Sequence, residues 1–346
     1  MRKSVKCGSI TIGGGAPVSI QSMTNVDSHD EEALVKQIGE LTAEGCEIVR
    51  IAVPDRAAVE TFQRVKQRTE VPLVADIHFD YRLAIGAIEA GADKIRINPG
   101  NIGSRERVEA VVKAAREKNI PIRIGVNSGS LEKDIVEKNG GVTAEGLAES
   151  AVRNVKLIES MGYDNLVVSL KSSDVRMNYL AHRLVAERTD HPIHIGITEA
   201  GTLKRGKVKS AVGIGALLLD GIGDTMRVSL TADPVEEVRY AKEILQAIGL
   251  RPQRVNLVSC PTCGRTRIAL EKLAEEVDRR LEQEELPENL KVAVMGCVVN
   301  GPGEAKEADF GVAGGDGKGV IFAKGQVIKT VREEEIVDEL IKVIKG

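Results

Sequence analysis

Lys94-Ile95-Arg96-Ile97-Asn98-Pro99-Gly100 reads as a short strand ended by a turn, with Arg96 and Asn98 on one face and Pro-Gly closing the run. Arg105 to Lys118 then carries the apolar spacing of an amphipathic helix, and Ile122 to Asn127 is a second strand. Working outward in both directions, the same unit recurs. Strands are predicted at Val18 to Met23, Ile48 to Val53, Pro72 to Ile77, Lys94 to Asn98, Ile122 to Asn127, Leu166 to Lys171, Ile193 to Thr198 and Thr225 to Leu230. Helices are predicted at Glu31 to Glu44, Arg56 to Arg68, Tyr81 to Ala90, Arg105 to Lys118, Ala144 to Ser160, Val175 to Glu187, Val208 to Leu219 and Val235 to Ala247. Eight strands, each followed by a helix, predict an α/β fold of the (β/α)8 TIM-barrel type over residues 1–249; a doubly wound open sheet seldom needs so many regular units.

Active sites of such barrels form where the strands end. The predicted ends are Gln21, Arg50, Asp76, Asn98, Asn127, Lys171, Thr198 with Glu199, and Ser229. Strand residues two apart share a face, which groups Arg96 with Asn98, Arg123 with Asn127 and Arg227 with Ser229. If those faces point inward, several guanidiniums meet Arg50 and Lys171 in one mouth, and the strand ends return only Asp76 and Glu199. Burying such a surplus of cations is costly unless an anion arrives. The pattern therefore predicts a multiply charged anionic ligand, most simply a diphosphate held by Arg forks, and is mute about its carbon skeleton. Asp76 and His78 share a strand face and could relay protons, or His78 could simply cap the barrel. Glu199 is a candidate proton donor. Asn98 to Ser104 is a weak candidate for backbone N–H contacts to phosphate, and the glycines between Ala211 and Gly223 read as tight helix packing.

A linker at Ile248-Gly249-Leu250-Arg251-Pro252 leads into residues 250–346, predicted as a small α+β domain with strands at Arg254 to Val258, Lys291 to Met295, Phe310 to Ala313, Val320 to Phe322 and Val327 to Val331, and helices at Arg267 to Glu284 and Glu333 to Lys345. Three of the five cysteines fall here: Cys260-Pro261-Thr262-Cys263, and Cys297, 34 positions past Cys263, each where an apolar run ends. A tight turn supplying two thiolates and a neighbouring strand end supplying a third is a way to reach one metal centre. No histidine follows His194, so the fourth ligand must be a carboxylate, an exogenous group or a residue from elsewhere; Glu304 is the obvious candidate. Structural zinc closes its shell with four strong ligands, and a redox dithiol has no use for Cys297. An iron-sulfur cluster with one labile position fits this set best.

Lys and Arg number 48 against 51 Asp and Glu, a net charge of −3, and aromatic residues make up 2% with no Trp. That composition gives neither a polyanion-binding tail nor the stacking platforms of single-strand nucleic-acid binders. The N-terminus has no apolar leader, and no run approaches the roughly 18 apolar residues of a membrane span, so a soluble cytoplasmic protein is expected. Five cysteines are no disulfide framework; Cys7 and Cys46 read as buried or semi-buried thiols without a role.

Motifs from end to end carry a resemblance: Val18-Ser19-Ile20-Gln21-Ser22-Met23-Thr24-Asn25, Ala75-Asp76-Ile77-His78-Phe79, Ile95 to Asn101, Gly125-Val126-Asn127-Ser128-Gly129-Ser130-Leu131, Thr198-Glu199-Ala200-Gly201, Arg227-Val228-Ser229-Leu230-Thr231, Cys260 to Thr266 and Met295 to Glu304. Together they resemble the bacterial 4-hydroxy-3-methylbut-2-enyl diphosphate synthases of the methylerythritol phosphate route to isoprenoids, in the two-domain form. The resemblance implies one 4Fe-4S cluster on Cys260, Cys263, Cys297 and Glu304, and 2-C-methyl-D-erythritol 2,4-cyclodiphosphate held at the barrel mouth by Arg50, Arg96, Asn98, Arg123, Asn127, Lys171, Arg227 and Ser229. It implies Asp76 and Glu199 as acidic site positions, with Glu304 displaced from iron as the substrate binds. It also implies two electrons from ferredoxin or flavodoxin, and a homodimer in which the cluster domain of one subunit serves the barrel of the other. Two rivals differ in class: a pterin-binding type of barrel transferase with a structural metal domain, and an iron-sulfur electron carrier, which would not need polar strand ends.

Overall fold

The computed structural model of the chain describes residues 2–297, 305 and 307–346. Its contacts divide it into two compact units, Met1–Leu250 and Arg251–Gly346. The first opens with a hairpin that the periodicity reading missed, β1 (Ser4–Cys7) and β2 (Ile10–Gly13). Its turn needs a left-handed residue, and Gly8 supplies it with φ of 55°. Cys7 and Ile12 pack against Ile48 and Val74, so this hairpin plugs the end of the barrel where the strands begin.

The barrel is closed by eight parallel strands: β3 (Ser19–Met23), β4 (Ile48–Ala52), β5 (Leu73–Asp76), β6 (Lys94–Ile97), β7 (Ile122–Asn127), β8 (Leu166–Lys171), β9 (Ile193–Ile195) and β10 (Thr225–Met226). The outer helices are α1 (Glu31–Ala43), α2 (Arg56–Arg68), α3 (Tyr81–Glu89), α5 (Arg105–Lys118), α7 (Ala144–Glu159), α8 (Val175–Arg188), α9 (Leu203–Leu219) and α10 (Pro234–Ala247), with short turns α4 (Pro99–Ile102) and α6 (Lys133–Lys138) between them. Asp30, Asp55, Asp80, Thr143, Asp174 and Asp233 each accept a backbone N–H at a helix start.

Two strands are shorter than expected by three residues or more. The ladder of β9 stops at Ile195 instead of Thr198, and that of β10 at Met226 instead of Leu230. The Arg227 N–H still bonds to the Ile195 carbonyl at 3.0 Å. Beyond it the chains press together: a Cβ on Gly196 would lie 2.6 Å from the Arg227 carbonyl oxygen. Helix α9 begins at Leu203, five residues before the expected Val208, because Lys204, Arg205 and Lys207 give its first turns no apolar period. Of the glycines between Ala211 and Gly223 expected to pack closely, Gly213 and Gly223 do, where a Cβ would strike Ile197 and Ile195, whereas a Cβ at Gly215 or Gly221 would meet nothing within 4 Å; Gly206, outside that stretch, packs on Leu230.

The second unit is a sheet in the order β11 (Val255–Ser259), β12 (Leu290–Met295), β13 (Phe310–Gly315), β14 (Lys318–Ala323) and β15 (Gln326–Arg332), parallel across the first three and antiparallel thereafter. Helices α11 (Leu270–Gln283) and α12 (Ile336–Lys345) bury Leu273, Val277, Leu340 and Ile344 against Val292, Val294, Val312 and Ile321. The α11 helix starts at Leu270, not Arg267, since Arg267 spends its N–H on the Gly296 carbonyl. Among the described residues, no helix is long and apolar enough to cross a membrane.

Candidate active site

Strand register decides which side chains share the barrel interior. Paired residues of neighbouring parallel strands point the same way. The pairs Met23 with Arg50, Arg50 with Val74, Val74 with Lys94, Asp76 with Arg96, Arg96 with Arg123, Arg123 with Val167, Asn127 with Lys171, Ser169 with His194, His194 with Thr225, and Thr225 with Ser19 run once around the barrel and close on themselves. The opposite parity, including Val49, Ile51, Ile95, Ile97, Ile124 and Val168, forms the apolar cluster beneath the helices. The expected inward placement of Arg50, Arg96, Arg123 and Lys171 is what this register gives. Such interiors are ordinarily filled by Val, Ile and Leu.

Two carboxylates organise the cations. Asp76, nearly fully buried, lies 3.7 Å from the Arg50 guanidinium and 3.3 Å from that of Arg96. Burial pushes the Asp76 carboxyl up, but Arg50, Arg96 and Arg123 outweigh burial and hold it at about 2. The second carboxylate is Glu237, on α10 and therefore missed by a reading of strand ends. It is buried 3.1 Å from Arg227, accepts from Ser22 Oγ at 3.2 Å and from the Leu230 N–H at 2.9 Å. Met23 is a second missed neighbour: its thioether sulfur accepts from Arg50 at 2.9 Å and 3.2 Å and from Arg227 at 3.6 Å. A Cβ at position 125 would come 2.5 Å from Arg96 Nε, so a glycine there gives that guanidinium its berth.

Arg123 is treated differently. It is 1% exposed, and none of its three side-chain nitrogens has a hydrogen-bond partner. Burial first, then repulsion from Arg50 and Arg96, pushes its guanidinium below its ordinary value, and an arginine under that pressure stays charged. Lys171 is pushed down by burial and by Arg50, Arg227, Arg123 and Arg96. The interior thus holds more positive charge than Asp76 and Glu237 answer.

The remaining candidates divide. Asn98 is buried, but its Oδ1 accepts the Gly100 N–H at 3.1 Å; its carbonyl takes the N–H groups of Asn101 and Ile102, and Pro99 takes that of Gly103. Of the backbone donors between Asn98 and Ser104 expected to meet a phosphate, those of Gly100 to Gly103 are spent inside the turn. Asn127 and Ser229 are half-buried, Asn127 on the inward parity opposite Lys171. Glu199 is exposed, four residues past β9, and adopts φ of 51° in the left-handed region, which costs a non-glycine residue and is found disproportionately at functional sites. It makes no ion pair among the described residues. His78, more than half exposed, sits 3.6 Å from Asp76 and lines a hollow of 290 Å³ with Ala52, Val53, Phe79 and Leu83.

In the second unit, parallel pairing of Ser259 with Val294 carries the ends of β11 and β12 to the same edge, delivering Cys260 just past one and Cys297 just past the other. The Gly296 N–H donates to Cys260 Sγ at 3.2 Å. Cys263 is exposed in a turn closed by Thr266, whose N–H donates to the Cys263 carbonyl and whose hydroxyl accepts the Cys263 N–H, both at 3.0 Å. The Arg265 N–H and the Thr266 hydroxyl hold the Cys263 thiol below its ordinary value. All three are free thiols at one end of a sheet, and this donor chemistry fits an iron-sulfur cluster. Among the described residues no three His, Cys, Asp or Glu side chains are gathered to hold a metal ion, and Glu304 lies outside the described residues.

A parallel barrel with a cation-rich interior, joined in sequence to an α+β unit bearing three free thiols, is the architecture of a class of two-domain enzyme. The chain belongs to the GcpE family: the GcpE TIM-barrel domain matches residues 2–242 and the GcpE protein C-terminal domain residues 256–346. It is 57% identical over 345 residues to the 4-hydroxy-3-methylbut-2-en-1-yl diphosphate synthase (flavodoxin) of Caldanaerobacter subterraneus subsp. tengcongensis, covering 100% of this chain and 97% of the relative. The like-named protein of Clostridium perfringens is 57% identical over 99% of this chain and 98% of its own length; that of Bacillus subtilis is 55% identical over 99% and 90%. Among solved structures, the dihydropteroate synthase of Yersinia pestis superposes with a TM-score of 0.52 at 13% identity, covering 72% of this chain and 98% of that one. That likeness shows the barrel fold alone.

Proposed function

We propose that this chain is a 4-hydroxy-3-methylbut-2-en-1-yl diphosphate synthase, opening the ring of 2-C-methyl-D-erythritol 2,4-cyclodiphosphate reductively and removing its C3 hydroxyl as water, with two electrons from flavodoxin. One observation carries the reading: among the described residues, the barrel interior holds Arg123 and Lys171 buried without a carboxylate of their own, beside Arg50, Arg96 and Arg227, which share two. Desolvated, preset cations of this kind favour a diphosphate and its developing charge without reorganising.

In this reading Arg123 and Lys171 grip the diphosphate oxygens, while Arg50, Arg96 and Arg227 add donors held in place by Asp76 and Glu237. Asn98, Asn127 and Ser229 complete the rim. Glu199 is the proposed proton donor to the departing C3 oxygen, and Asp76 fixes the guanidiniums. Cys260, Cys263, Cys297 and Glu304 would hold a 4Fe-4S cluster, which supplies electrons singly and an iron short of one thiolate. A homodimer in the cytoplasm, where reduced flavodoxin is available, completes the proposal. Anaerobic purification, iron and sulfide assay, and turnover of the cyclodiphosphate with reduced flavodoxin test it. Four irons and four sulfides per chain with diphosphate product are expected; zinc in their place and no turnover would overturn it. Mixing a Cys297→Ser variant with a Lys171→Met variant tests the assembly: restored activity supports a shared dimer, and none under proven subunit exchange removes it.

A further inference from the structure

Lys94 lies on β6 two residues before Arg96 and on the same inward parity, so it occupies the floor of the barrel below the anion-binding side chains. It is 0% exposed, and its Nζ has no hydrogen-bond partner. Nothing in the reaction described above uses it. An unpaired ammonium in such a place is costly, whereas the neutral amine is not.

Its surroundings offer little relief. From β7 and β4 it faces the guanidiniums of Arg123 and Arg50. His194 on β9 shares the interior with both ring nitrogens unpartnered, and burial, then Arg123, Lys171 and Lys94, press it towards the neutral form. Beneath, the hairpin brings Cys7, whose thiol burial pushes up while Lys94 acts against that rise. Asp93 precedes Lys94 in the chain, but its carboxylate is taken by Lys66 Nζ at 2.6 Å and by the Leu73 N–H at 2.7 Å. Guanidiniums keep their charge under mutual repulsion; an ammonium gives its proton up.

We infer that Lys94 is a positioning residue that couples substrate capture to proton uptake: in mildly alkaline solution its amine is partly neutral in the empty barrel and gains a proton when a diphosphate fills the mouth above it. This rests on the substrate reading given above. Burial, with Arg123 and Arg50 adding to it and Cys7 and Asp93 opposing, brings the amine down to about 8 in the empty protein. An anion bound to Arg123 and Arg50 cancels the repulsion and lifts it. The sign follows: a group whose pKa rises on binding favours binding at low pH, so affinity falls as pH rises through 8, approaching tenfold per unit from this group. At and above pH 8 the device lowers self-repulsion in the empty barrel and restores full charge when the ligand is present.

Calorimetric titration of the oxidised holoenzyme with the cyclodiphosphate, without reductant, at pH 8 in two buffers of different ionisation heat reads the protons directly. Wild type should take up protons, and Lys94→Met should take up about half a proton fewer. Lys94→Arg should lose the same share while keeping affinity at pH 9.5. Lys171→Met, which leaves Lys94 in place, should keep about half a proton of uptake. Tight binding by wild type with no net uptake, full wild-type uptake in Lys94→Met or Lys94→Arg, or loss of all uptake in Lys171→Met would each overturn the inference while leaving the substrate reading intact. Failure of wild type to bind the cyclodiphosphate would instead bring down the substrate reading and this inference with it. Should the Lys94 variants fail to fold, wild type and Lys171→Met still decide.

Discussion

The barrel and the C-terminal unit place their chemistry in opposite ways. In the barrel, the outward parity of each strand packs the helices and the inward parity is given over to Arg50, Asp76, Lys94, Arg96, Arg123 and Lys171, so the groups proposed to act are themselves core. In the C-terminal sheet both faces are apolar, one packed on α11 and α12 and the other around Ala293, Met295, Ala313 and Phe322, and the thiols stand only where strands end. A charged core ties stability to function through every residue it contains. A site at strand ends leaves the fold beneath it almost untouched.

The comparison is most exposed at Cys263. Because it is exposed and its turn is closed by Thr266, Cys263→Ser should leave the thermal unfolding of the apoprotein within about 0.5 kcal/mol of wild type. Turnover should fall by about three orders of magnitude or more, beyond the 10–100-fold typical of residues that only support a metal ligand. Iron content and cyclodiphosphate turnover measure it. Full iron and activity would remove this turn from the site; a large fall in stability would erase the contrast between the units.

Asp76→Asn should do the reverse. It strips Arg50 and Arg96 of the carboxylate they share, and breaking a buried pair from one side costs about 3–5 kcal/mol. Urea unfolding reads this directly, and a loss below about 1 kcal/mol would mean the cations do not depend on Asp76. Arg123→Met separates the two properties within one core. Removing a buried cation without partners should leave stability unchanged or raised, while affinity for the cyclodiphosphate falls on the order of 100-fold. Equal binding in this variant would sink the anion site.

Much of this was legible in the sequence because a strand's period of two is rigid: once Arg96 and Asn98 share a face, so must Lys94, and the eight repeated units close the sheet. Glu237 was not. It stands beside Glu236 in the first turn of α10, where any carboxylate suits the helix dipole, and nothing in the local pattern says that one of the two turns inward to Arg227. The hairpin around Gly8 was readable from the alternation of Val5 and Cys7 with Ile10 and Ile12, but strands of four residues lie near the limit of the signal. The spent N–H groups of Gly100 to Gly103 belong to local turn geometry that spacing does not carry. The cysteines could be placed at strand ends from sequence, since Gly and Pro mark where each run stops.

The smallest expected effect is the pH dependence of the barrel interior. Asp76 is held at about 2 in the folded protein against an ordinary 3.8, so it contributes stability that is full above the unfolded value and is lost as pH falls through the folded one. The difference is worth about 2 kcal/mol, falling away between pH 4 and pH 2. Other carboxylates titrate over the same window, so the useful quantity is the gap in unfolding free energy between wild type and Asp76→Asn. That gap should be constant from pH 7 to pH 5 and then narrow by about 1 to 2 kcal/mol by pH 2.5. A gap that does not change with pH would mean Asp76 acts on Arg50 and Arg96 by shape alone, and the barrel interior would then be no more electrostatically committed than the sheet of the C-terminal unit.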